Sequence, residues 1–131
     1  MIPKIFITLG VLIYAIVVPY LEINVSHVFN PAWVPHARLH EVCQLVTNFA
    51  IGVVALWLAW SNKSIQLSSI LNITVMGGVL VAQVLADFYG GNILSGNVSK
   101  TILGLELAVF AASIVVVLAV AAFVMSYRRT P

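Results

Sequence analysis

Charge is scarce in this chain: only 8% of its 131 residues are Asp, Glu, Lys or Arg, and just four are acidic. A soluble domain of this size needs far more charge to solvate its surface, so a water-soluble globule is excluded. Long polar stretches are absent too, which leaves no room for an appended soluble domain. The single cysteine, Cys43, rules out an internal disulfide and is expected to be a buried structural thiol. After the first apolar run, Pro19, Tyr20 and Leu21 offer no small-residue cleavage site, so that run reads as a retained signal anchor.

Apolar residues make up 62% of the chain. A helix crossing about 30 Å of hydrocarbon needs roughly 20 mostly apolar residues. Four such stretches are predicted, over residues 5–20, 35–60, 67–88 and 101–127. The expected fold is an all-α integral membrane four-helix bundle, a single transmembrane domain covering residues 1–131.

Four spans put both termini and the 61–66 connection on one edge, with Lys4, Lys63, Arg128 and Arg129; Arg38 and Lys100 lie at the other. Positive charge favours the cytoplasmic face, which predicts both termini inside and the histidine-bearing connection outside or lumenal. Ser61-Asn62-Lys63-Ser64 suits a tight helical hairpin with Ser61 or Ser64 as cap. Residues 21–34 are too long for a minimal turn and too apolar for a solvated loop. They are expected to lie along the interface or fold back as a lid, with Trp33 at headgroup level. Asn-Val-Ser triplets at Asn24 and Asn97 match glycosylation acceptors, but similar triplets at Asn62 and Asn72 lie in a turn and in a span, so the pattern carries no weight.

The ionisable groups Glu22, His27, His36, Arg38, His40, Glu41, Asp87, Lys100 and Glu106 all fall in or beside the first and third connections. Ionisable groups near lipid are costly and usually functional. At 100° per residue, His36, His40, Cys43, Gln44 and Thr47 share a face of the second span, flanked by Glu41 and Asn48, with Arg38 nearly opposite. In the third span Asn72, Met76, Gln83 and Asp87 align. Glu106 is expected about six residues into the fourth, about 9 Å along its axis, with Ser113 two turns deeper. These stripes are expected to face one another rather than lipid. Polar side chains such as Asn48, Asn72 and Gln83 also serve simply to associate membrane helices, and His27 and Glu22 read first as solvated groups.

Three function classes fit. The first is acid–base chemistry on a lipophilic substrate, an isomerase or cyclase. Imidazoles beside carboxyls exchange protons near neutral pH, and no cofactor is required. The second is a metal site built on His36 and His40, whose i, i+4 spacing lets two imidazoles meet one ion, with His27 as a third ligand. The third is a non-enzymatic accessory subunit or small transporter.

The block Phe29-Asn30-Pro31-Ala32-Trp33-Val34-Pro35-His36-Ala37-Arg38-Leu39-His40-Glu41 resembles the signature of a group of small four-span membrane proteins, a resemblance that brings no activity with it. The His-x-x-x-His fragment resembles one box of the membrane fatty-acid hydroxylases and desaturases, whose diiron centre needs about eight histidines where this chain has three. In outline the chain resembles the small multidrug transporters, but its first span holds no acid before Glu22, where they carry an essential carboxylate. Its size is also similar to the DoxX-like and sterol-isomerase groups. The latter resemblance implies acidic side chains set against a bound cation or carbocation.

The reading that follows is a small membrane enzyme acting on a lipophilic molecule. His36, His40, Glu41, Asp87 and Glu106 are its expected catalytic groups, and Trp33, Arg38, Gln44, Asn48 and Gln83 its substrate contacts. Membrane lipid and a lipophilic small molecule are its expected partners, nucleic acid is not, and an oligomer or larger membrane complex would cover remaining polar faces.

Overall fold

In lipid a backbone must satisfy its own hydrogen bonds, and long apolar runs do so as helices. The computed structural model describes residues 1–94 and 100–127, so the Asn97 triplet, Arg128 and Arg129 lie outside the described residues. Its four long apolar helices are Ile2–Glu22, Pro35–Trp60, Ile65–Val84 and Leu107–Tyr127. They pack against one another as an all-α integral membrane bundle. The first span packs on the second and fourth, and the third packs on the second and, most extensively, the fourth. The spans therefore form a ring, with first opposite third.

Each helix end has a local cause. Pro35 occupies the first turn of the second span after an extended Val34, as a proline at a helix start requires. Ser64 caps the third span, its Oγ accepting from Leu67 N at 3.0 Å, as expected. Within the first span, Ile13–Val17 widens to a π-helical turn. The wide turn stands just ahead of Pro19, whose ring has no N–H to donate and crowds the carbonyl a turn back.

The core is a seam of small residues. Between lipid-exposed helices no hydrophobic force acts, so close van der Waals approach decides packing. Gly52 of the second span shows this: a Cβ there would meet Val11 at 2.9 Å, Ala15 at 3.2 Å and Tyr14 at 3.3 Å. Ala55 and Ala59 continue the buried line, as do Ala112, Val115, Ala119 and Ala122 on the fourth span. Ser68 Oγ donates to the Ala55 carbonyl at 2.7 Å and pins the third span to the second. Near the termini, Trp60 Nε1 donates to Thr8 Oγ1 at 3.0 Å, and Lys4 Nζ to Asn62 Oδ1 at 2.7 Å.

This seam corrects the expected rotation of the second span. Leu45, Gly52, Ala55 and Ala59 are buried, a spacing of seven, three and four residues that puts Glu41 and Asn48 on the bundle side. His36, His40, Cys43, Gln44 and Thr47 are exposed. Cys43 is thus an exposed thiol, contrary to the buried role expected of it. The fourth span is also corrected at its start. Residues 101–106 form an antiparallel hairpin, Thr101 paired with Glu106 and Ile102 with Leu105. Leu103 and Gly104 at its tip have φ of 53° and 79°, the two positive values of a two-residue hairpin turn. Glu106 therefore stands one residue before the helix, not two turns inside it.

Candidate functional site

Toward the edge away from the termini the second and third spans part. A cleft of about 840 Å³ fills the gap, a size that holds a drug-sized or lipid-like molecule. Gln44, Asn48 and Ile51 form one wall, and Thr74, Gly78, Ala82 and Gln83 the other. Gln44, Thr74, Gly78 and Ala82 are exposed, so the cleft opens sideways between the two helices. In a bilayer that opening faces acyl chains.

The connections roof it. In the first connection Asn24 Oδ1 accepts from Ser26 N and Ser26 Oγ, each at 2.7 Å, and folds the chain back. His27 is consequently buried, its Nδ1 2.8 Å from Ser26 Oγ and its ring edge-on to Trp33 at 5.7 Å between centroids. Both rings line the cleft. Residues 21–34 thus fold back over the bundle. On the other side Tyr89 Oη donates to the Ala82 carbonyl at 2.8 Å, turning Tyr89 onto the third span. Gly90, at φ 68°, makes the reversal that brings Gly91, Asn92 and Ile93 to the wall.

Glu22, the last residue of the first span, brings a carboxyl to the cleft. Its carboxyl lies beside that of Glu41, which the seam register turns toward the bundle. Neighbouring carboxyls repel when both are ionised, and a proton held between them relieves that repulsion. A carboxyl pair sharing a proton can give or take one at little cost in charge.

The sequence-predicted residues divide. Trp33, Gln44, Asn48 and Gln83 line the cleft together, whereas Arg38 does not. Glu41 reaches it through Glu22. His36 and His40 meet each other on the exposed face of the second span and do not line the cleft. Asp87 is exposed on the short helix Ala86–Tyr89 beyond the break at Leu85. Glu106 lies in the hairpin, its Oε2 shielded and without a hydrogen-bond partner among the described residues. No ion pair joins Arg38 to a carboxylate among the described residues. The three histidines of the alternative metal reading are not brought together, and no group of three metal-binding side chains occurs among the described residues.

Glu22 and His27, which the sequence pointed to first as structural groups, both line the cleft. A signal was present for Glu22: its partner Glu41 falls on the Leu45–Gly52–Ala55–Ala59 line, and an acid on a small-residue seam needs a neighbour for its proton. For His27 no periodic signal exists, because a folded loop buried it.

The fold and cleft define a class, a small four-span helical membrane protein with a laterally open cavity. No protein-family model, curated protein or solved structure matches the chain.

Proposed function

We propose that this protein takes an amphipathic, lipid-soluble molecule into the cleft from the bilayer and catalyses a proton-transfer isomerisation or cyclisation on it. The observation that carries the reading is the Glu22–Glu41 carboxyl pair at the wall of a cleft of about 840 Å³. The pair supplies and recovers the proton and offers negative charge to a cationic intermediate. His27 is the second proton-handling group, Gln44, Asn48 and Gln83 orient a polar head, and Trp33 packs on the apolar body. Both termini are cytoplasmic and the cleft lies at the outer or lumenal edge. That orientation rests on the Lys/Arg bias. In a Cys43→Ser background, an impermeant thiol reagent outside intact cells should label Ser26→Cys and not Ser64→Cys; the reverse result inverts the orientation.

The test is proton exchange. Protein in lipid nanodiscs, incubated in D₂O with a total membrane lipid extract, should place deuterium in one isoprenoid or sterol-like species, read by mass spectrometry. Glu22→Gln keeps shape and one hydrogen bond but removes the shared proton, so it should stay folded and stop the exchange. No deuterium uptake above protein-free nanodiscs would defeat the enzymatic reading.

A second reading, an accessory subunit in a larger complex, is favoured by the exposed Cys43 and Thr47 deeper along the second span. Polar groups facing lipid gain from a partner helix. A gently solubilised native membrane would then yield the chain only in a larger assembly, with no exchange by the isolated protein.

A further inference from the structure

The two exposed histidines of the second span do not line the cleft. Their Nε2 atoms converge to 3.0 Å, with ring centroids 4.4 Å apart and planes at 87°. We propose that His36 and His40 form a chelating site for one divalent ion of the copper(II) or nickel(II) class.

Geometry selects the metal. Metal–imidazole bonds are about 2.0–2.1 Å long, so nitrogens 3.0 Å apart subtend about 95° at a shared ion. That is close to the right angle of a tetragonal or octahedral site, the geometry of copper(II) and nickel(II). Tetrahedral zinc would need the nitrogens to open to about 3.3–3.4 Å. The helix sets the spacing, because residues four apart lie one above the other on one face. The nitrogens already stand close, and each ring has only to turn its lone pair from the N–N line toward the ion.

Access and protonation agree with this. Both side chains are exposed within the first two turns of the second span, at the edge where water reaches. As drawn, one Nε2 donates to the other. An ion needs both lone pairs, so the donor ring moves that proton to its Nδ1 and no proton need be lost. No third His, Cys, Asp or Glu completes the set among the described residues. His27 is held elsewhere, against Ser26 and Trp33. Water therefore fills the remaining positions, and the bound ion presents exchangeable sites at the membrane surface.

The experiment uses tag-free full-length protein in zwitterionic nanodiscs, with Cys43→Ser so that copper does not oxidise the exposed thiol. One equivalent of copper(II) is added and examined by pulsed electron paramagnetic resonance, with affinity from calorimetry. Two bound imidazoles per copper are expected, falling to one in His36→Ala or His40→Ala with at least tenfold weaker binding. His27→Ala and Glu22→Gln should bind copper as tightly as the parent and with the same two imidazoles, which separates this site from the cleft. Nickel(II) should bind more tightly than zinc(II). Copper binding unchanged in both His36→Ala and His40→Ala, or zinc(II) preferred to nickel(II), overturns the proposal. Helicity and melting confirm that each variant is folded, and His40→Gln replaces His40→Ala if the latter is not.

Discussion

The two halves of the bundle are built on opposite rules. Toward the termini, glycine, alanine and serine let helices touch: Gly10 and Gly52 each leave no room for a Cβ at ordinary contact distance. Toward the connections the same second and third spans separate, and Gly78 has nothing within 4 Å of where a Cβ would stand. Glycine thus closes one half and opens the other. Packing without voids holds the fold, while the half that gave up packing carries the paired carboxyls and the amide side chains.

The comparison is broken most easily at its glycines. Gly52→Val drives a branched side chain into Val11, Ala15 and Tyr14 and should cost about 1–3 kcal/mol, as overpacking does. Gly78→Val should stay within about 0.5 kcal/mol of the parent. Thermal or denaturant unfolding in detergent measures both. Equal losses would mean that the halves are packed alike.

Function should invert that order. Gly78→Phe places a ring in the cleft and should reduce lipid deuterium uptake by about tenfold, ~1.4 kcal/mol in the barrier, with unfolding unchanged. If uptake is unaffected, the substrate does not lie between the second and third spans.

The smallest effect concerns hydroxyls. Ser68→Ala removes the bond to the Ala55 carbonyl across the tight half and should cost about 0.5–1.5 kcal/mol. Thr74 Oγ1 bonds only the Ile70 carbonyl of its own helix, on the exposed side, so Thr74→Val should be neutral to about 0.5 kcal/mol. A larger loss at Thr74 would place the stabilising contacts on the cleft side.

Much of the site was legible in part. Gln44, Asn48 and Gln83 stood out because polar groups within spans are few, Trp33 as an interfacial aromatic, and the four line one cleft. The acids were harder. Counting from an apolar boundary put Glu106 inside the fourth span, but Gly104 permits a hairpin that consumes those residues and delays the helix to Leu107. The rotation of the second span misled because polar residues were assumed to face inward, whereas close approach at Gly52 decides which face is buried.

The sequence by itself determined the membrane class, the four spans, the full extent of Pro35–Trp60 and a serine cap for the third span, which the fold assigns to Ser64. Each follows from local quantities: the length of an apolar run, a proline that starts a helix, a hydroxyl that caps one. Only the tertiary structure decided which side of each helix is buried, that His27 lies under a folded connection, and that Glu22 meets Glu41. Those outcomes depend on where residues far apart in the chain touch. Helix rotation is set by the closest approach of two backbones, and a single glycine facing a neighbouring span outweighs the average polarity of a face.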